Sequence, residues 1–444
     1  MLNDLSRRAF VTLAGAAGVG AALGTSVAPS ACAEEASTAS GNKKMKFSAM
    51  VTLGDWAIFR GAWGDPGVYY ILKRMKDTGF SRVYWRTTDG CGQACYPSKV
   101  TNPAQEFIRD PKRFMEQHHV QDFLNQGRPM PDGWIKGSAD FSQFDSITSG
   151  IHWAKHFGLE FYCWHEHAED HGAVGQISRI AFEHPEWLTR NRDGKSSPCR
   201  FSWGIQPAVE HRIALVREVL EHQPDGLYFD FVKSMCSTPG VGCTPHFDDQ
   251  GVWYCTYDEP VVEAFKKETG RDPHQIPNGD AEWVRFRSRY MTDFVRQVRQ
   301  MQQRDFPSVK LGAFGCPTGR LGFATGDKMV ACADPLRAYL EDHETWTRDG
   351  LIDEFVNAYN DGAVGRDPTK LKAMVADSRS RIHNPCRYRG SQLEVYGLGD
   401  EPSLMTAIET IANCDCQEIV LFETTPLESN NTWGVIAKAI KQFG

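Results

Sequence analysis

The chain has 444 residues, a formal charge of −7, and 41% hydrophobic against 24% charged residues, an ordinary balance for a soluble globular protein. That length allows one large domain or two to three small ones, and an acidic chain without a long basic run is a poor match for nucleic acid. Twelve Trp, thirteen Tyr and twenty-five Phe supply rings for a stacking site as well as for a core.

The first element is an export signal. "SRRAFVTLAGAAGVGAALG" sets Arg7 and Arg8 ahead of a short, Ala/Gly-rich apolar stretch. This pattern predicts a twin-arginine (Tat) signal peptide over 1–33, cleaved after the small residues Ala31–Ala33. The stretch is too short and glycine-rich for a membrane span, and no later segment is long and apolar enough for one. "PSAC" before Cys32 lacks the aliphatic residue usual in a lipidated cysteine motif. The expected location is periplasmic, cell-surface or secreted. Cleavage leaves twelve of the thirteen cysteines. Cys91/Cys95, Cys236/Cys243 and Cys414/Cys416 lie close in sequence, but connectivity is not legible. No pair of CxxC motifs marks a structural zinc, and no metal or cofactor is expected.

Residues 34–44 are small and polar and read as a linker; the rest, 45–444, reads as one domain. Strand-like stretches fall at 45–53, 81–88, 159–166, 226–232, 309–315, 352–359, 392–398 and 418–424, each apolar-rich and bounded by turn residues. Helical patterns fall at 68–79, 144–158, 208–222, 259–270, 282–304, 334–350, 367–381, 401–414 and 432–444. Eight strand–helix units predict an α/β protein, a (β/α)8 TIM barrel. The competing open doubly wound sheet lacks its glycine-rich nucleotide loop. Long βα connections follow strands two (89–143), three (167–207) and four (about 233–258), on the face where such barrels build sites.

In a barrel the strand tips converge. They carry Asp55, Trp56, Trp85, Arg86, Trp164, His165, Glu166, His167, Asp230, Cys316, Asn357, Tyr359, Glu394, Tyr396 and Glu423. Carboxylates for acid/base or nucleophilic work, with indoles to stack sugar faces, suit a carbohydrate. A phosphorylated substrate would want clustered basic residues or a glycine loop. Asp230, closing "DGLYFD", is the first catalytic candidate, since Tyr228 and Asp230 share one strand face. Glu423 in "LFETTPL" is the first choice for the second carboxyl, with Glu166 and Glu394 as competitors. Trp56, Trp85, Trp164 and Trp203 are candidate sugar platforms. Arg86, His165, His167, Asn357, Tyr359, Glu394 and Tyr396 are candidate substrate contacts.

"HPEWLTRNRDGK" (184–195), "FSWGIQPAVEHRIALVREVLE" (201–221), "PDGLYFDFVK" (224–233) and "YDEPVVEAFKKETGRDP" (257–273) come in an order that resembles the family-10-like glycosyl hydrolases. "WVRFRSRYMTDFVRQVR" (283–299), "GLIDEFVNAYND" and the closing "EIVLFETTPL" continue the resemblance, which spans about 45–440. It implies a (β/α)8 barrel acting on or binding glycans, with the aspartate after strand four matching Asp230. It implies no second catalytic residue, and "SMCSTPGVGCTPHFDDQGVWYC" is longer than the loop usual there. Two other functions stay open: a glycan-binding barrel without a competent acid pair, and a metal-dependent hydrolase using "WHEHAEDH" with His165, His167 and Asp230.

Overall fold

A computed structural model describes residues 44–52, 64–89, 93–101, 141–167, 180, 183–230, 247–315, 321–323, 329–331, 334–358, 362–395 and 397–444. The predicted signal peptide and linker lie outside them, apart from Lys44, as does much of the three long connections.

Eight parallel strands close a barrel: β1 (Lys46–Val51), β2 (Arg82–Arg86), β3 (Glu160–Glu166), β4 (Gly226–Asp230), β5 (Lys310–Gly315), β6 (Glu354–Asn357), β7 (Arg387–Glu394) and β8 (Glu418–Phe422). Each pairs with its neighbours in sequence, and β8 closes on β1 with Ser48 opposite Val420. The (β/α)8 fold is therefore as the sequence predicts. Between strands run α1 (Asp65–Thr78), α2 (Ser146–Phe157), α3 (Gln206–Glu221), α4 (Glu259–Thr269), α5 (Ala281–Asp305), α6 (His343–Arg348), α7 (Pro368–Ser380), α8 (Glu401–Ala412) and α9 (Trp433–Phe443). Their ends follow local chemistry. Asp145 accepts the Ile147 and Thr148 N–H groups to start α2, and Gly79 ends α1 at φ 105°, a backbone only glycine adopts cheaply.

Strand alternation divides the core into two layers. Val83, Trp85, Leu227, Phe229 and Leu311 pack outward against helices, whereas Met50, Tyr84, Tyr162, Trp164, Tyr228, Phe314, Val356 and Val420 fill the interior. Below those rings the interior is charged. The Arg82 guanidinium donates to Glu418 at 3.0 Å, Glu354 at 3.2 Å and Glu160 at 2.8 Å, and lies 3.9 Å from the Tyr162 ring centre. Tyr84 and Tyr228 hydroxyls donate to Glu418 and Glu354, so the network is shared across five strands.

Two elements differ from expectation. The seventh strand starts at Arg387, not 392, because its polar "RYRGSQ" opening feeds this interior network: Arg389 Nε lies 3.3 Å from Glu418. Gly390 permits the tight pairing, since a Cβ there would sit 1.9 Å from the Glu418 carbonyl oxygen. The helix expected over 334–350 is two short ones, Pro335–Tyr339 and α6, broken where Leu340 turns left-handed at φ 63°.

Beyond β3, the hairpin Leu188–Arg190/Ser196–Phe201 is tied to the start of α4 by Asp258. This buried carboxylate accepts from Ser202 Oγ at 2.6 Å, Arg190 N at 2.8 Å and Thr189 Oγ1 at 3.2 Å. Burial pushes its carboxyl up to about 6, against those three hydrogen bonds. The folded chain thus holds the proton more tightly than the unfolded chain. Asp258's favourable contribution is complete below about pH 4 and fades as pH rises through about 6. Urea midpoints of wild type minus Asp258→Asn are expected to fall across that window; a flat or rising difference refutes the assignment.

Among the described residues, Cys95, Cys163, Cys255, Cys386, Cys414 and Cys416 are free thiols, so the neighbouring Cys414 and Cys416 are not bonded to each other. Cys91, Cys236 and Cys243 lie outside the described residues. No described helix is long and apolar enough to cross a membrane.

Candidate active site

At the C-terminal end of the barrel, two carboxylates face each other across adjacent strands. Asp230 ends β4 and Glu166 ends β3, and their Cα atoms are register partners, which sets the two strands' backbones about 5 Å apart. Both share the inward face of Trp164 and Tyr228. Asp230 is fully buried, and the Trp164 indole N–H donates to its Oδ2 at 2.8 Å. Glu166, equally enclosed, forms an ion pair with Arg86. Arg86 is further held by the Thr88 carbonyl, which accepts from its Nε at 2.8 Å, and its guanidinium carbon lies 5.1 Å from the Trp164 ring centre. Asp230, Trp164, Arg86 and Glu166 therefore form one connected unit at the barrel mouth.

Two further carboxylates stand near that level. Glu394 ends β7 opposite Phe422 and is half-buried. It shares the face of Gln392, which reaches Met50 in the interior, so it is directed inward. Glu423 follows β8 directly, is buried, and precedes the short helix Thr424–Ser429. Phe422, whose ring meets Trp164 edge-on with centres 5.9 Å apart, completes the wall. Nothing in its residue type singles out Phe422; only its parity with Val420 does.

Other expected contacts are corrected by the strand geometry. Trp85 points outward, its indole donating to Ser146 on α2 at 3.2 Å. His165 and His167 also lie on the helix side, their rings 4.6 Å apart. His165 Nδ1 is 2.8 Å from Thr87 Oγ1, and His167 packs on Phe229 and Phe294. Burial lowers the His165 imidazole to about 4 and holds that of His167 well below its usual range, so both are neutral near pH 7. Trp203 is buried, and the Arg212 guanidinium stacks on it, 3.9 Å from its ring centre. Asn357 is bound to Ser391 at 2.9 Å and to the Tyr388 hydroxyl, again on the helix side. Trp164 does reach the mouth, but as a hydrogen-bond donor to Asp230. Trp56, Tyr359 and Tyr396, with Asp55 and Cys316, lie outside the described residues.

The metal alternative loses its ligand set, because the side chains of His165 and His167 stand on the opposite face of the wall from Asp230. Among the described residues no group of three His, Cys, Asp or Glu side chains is placed to hold a metal ion. If Trp85 and Trp203 are packing residues, Trp85→Phe and Trp203→Phe should each lower stability by about 1–2 kcal/mol in urea unfolding. Oligosaccharide affinity by calorimetry should stay within about twofold; a larger loss of affinity would restore them as platforms.

No protein-family model matches the chain, and no curated protein matches it. Solved structures do. The catalytic domain of a beta-amylase from Paenibacillus polymyxa superposes with a TM-score of 0.55 at 11% identity, over 90% of this chain and 99% of that one. Alpha-L-fucosidase isoenzyme 2 from Paenibacillus thiaminolyticus gives 0.52 at 12% identity, over 90% of this chain. These likenesses show the fold. The chain spans about half (49%) of the fucosidase's length.

Proposed function

We propose that this protein is a glycoside hydrolase, with Asp230 as nucleophile or general base and Glu423 as general acid. The observation that carries the reading is Asp230 itself: a fully buried carboxylate on the inward face of a strand tip, held by an indole N–H, with Glu166 as its cross-strand partner. A carboxylate committed to Arg86 is poorly suited to deliver a proton, so Glu166 is assigned to binding sugar hydroxyls. That leaves the acid role to Glu423, with Glu394 as its nearest competitor. Two solved barrels of like fold, a beta-amylase and an alpha-L-fucosidase, act on sugars. The finer resemblance to the family-10-like glycosyl hydrolases belongs to the same proposal. So does Tat-dependent export, resting on Arg7 and Arg8 ahead of a short apolar stretch.

The test is a glycan-panel hydrolysis screen on the full chain, with product stereochemistry followed by NMR. Carboxyl groups about 5–5.5 Å apart give retention and those about 6.5–9.5 Å apart give inversion. Turnover of any glycan by wild type supports the reading. Glycan binding without turnover would replace it with the binding barrel that lacks an acid pair.

A further inference from the structure

Among the described residues, α5 runs for 25 residues, whereas the connection after β5 carries two short helices, Pro335–Tyr339 and the six-residue α6. One flank of α5 forms a wall of a groove of about 900 Å³. Arg289, Tyr290 and Asp293 line it from α5, facing Asp334, Glu341 and His343. The inner end is built, not incidental. His343 Nε2 lies 2.6 Å from Glu341 Oε2, with side-chain exposures of 4% and 0%. The imidazole packs edge-on to Phe355 of β6, centres 4.8 Å apart. Gly315 of β5 leaves it room, since a Cβ there would come within 2.7 Å of His343 Cε1.

Three of the five arginines lining the groove are paired with carboxylates that also line it. Arg289 makes a two-pronged bond to Glu268 at 2.9 and 2.8 Å, Arg296 pairs with Asp293, and Arg381 lies 3.9 Å from Asp334. Such a wall gives an anion no concentrated positive field. Among the described residues it also assembles no three-ligand metal site. The Phe286 face is already covered by the Arg289 guanidinium, 4.2 Å from its ring centre, which leaves half-buried Tyr290 as the ring next to paired donors and acceptors. Planar donor–acceptor pairs beside one aromatic ring match a neutral, hydroxyl-rich ligand, and the volume lies toward the upper end for small-molecule sites, about 300–1,000 Å³.

We infer that this groove is a second ligand site, for a neutral oligosaccharide, separate from the barrel mouth and independent of the catalytic proposal. Its occupant should slow local opening of the short helices over 334–348, which are anchored on their inner side by buried Tyr339 and Trp346.

Hydrogen exchange of the full chain, with and without saturating maltohexaose, cellohexaose or xylohexaose, tests it. At least one sugar is expected to slow exchange across 334–348 by fivefold or more. Tyr290→Ala and Arg289→Ala should each weaken that sugar's binding at least tenfold by calorimetry, at a temperature where circular dichroism shows both variants folded. Asp230→Asn should retain the protection, which separates this site from the hydrolase reading. Protection confined to 160–167 and 226–230, or none with any of the three sugars, overturns the inference; so does protection of 334–348 that survives both groove variants.

Discussion

Replacing Arg82 with methionine is expected to cost the fold about 3–5 kcal/mol, the usual penalty for removing one partner of a buried ion pair. Arg82 is 1% exposed and serves Glu418 and Glu354, themselves 0% and 4% exposed. Burial opposes its charge, but Tyr84, Glu418, Tyr228 and Glu354 more than offset this and hold the guanidinium protonated. Its third partner, Glu160, is drawn down to about 2: burial works against its charge, and Arg82 and Lys46 overcome it. Methionine fills similar space but leaves Glu418 with Arg389 at 3.3 Å, and Glu354 with Lys310 at 3.8 Å and Arg389 at 4.0 Å. Adding Glu418→Gln to the methionine variant should recover part of the loss, because one uncompensated charge goes with it. Arg82→Lys should fall between wild type and methionine, keeping the charge but not the fork. Urea unfolding of the full chain reads all three; a methionine penalty below about 1 kcal/mol would mean the network is dispensable. Arg82 stands four residues before Arg86 on β2, about 13 Å from the mouth, so the residual folded fraction should keep its activity.

That distance also explains what could and could not be read from the chain. The eight strands were legible because each is a compact apolar run, as strands buried on both faces are. The same two-sided burial hid the direction of the aromatics. Trp85 and Trp164 look alike in sequence, yet one meets Ser146 on a helix and the other meets Asp230 in the interior. His165 and His167 read as site residues from their neighbourhood, whereas their parity is that of Phe229. Anchoring parity on Asp230 would have separated them: Glu166, its register partner, is inward, and residues one step away are not. The early start of β7 has a different cause. A polar opening such as "RYRGSQ" reads as a loop unless the interior is known to hold Glu354 and Glu418. The break at Leu340 carries no glycine or proline to announce it, and the groove beside α5 followed from that break.

Asp230→Asn is expected to lower kcat on the glycan that the panel identifies by about 10²–10⁴-fold or more. Asparagine retains an oxygen for the Trp164 indole and nearly the same volume, so the thermal midpoint should hardly move and the loss can be assigned to chemistry. Glu423→Gln should show a comparable fall for substrates with poor leaving groups and a smaller one for activated aryl glycosides, because a good leaving group needs less protonation. Arg86→Met tests the third part. It frees Glu166 from its ion pair, and it should raise KM and displace the pH profile with a smaller effect on kcat than either carboxylate variant. The three together discriminate among assignments that one alone would leave entangled. If Glu423→Gln is indifferent to leaving group while Glu394→Gln is sensitive, the acid is Glu394. If Glu166→Gln shows that sensitivity instead, the ion pair with Arg86 opens during turnover. Near wild-type hydrolysis by Asp230→Asn would remove the residue on which the whole arrangement turns, and the buried carboxylate at the end of β4 would then be an anchor for Trp164 and nothing more.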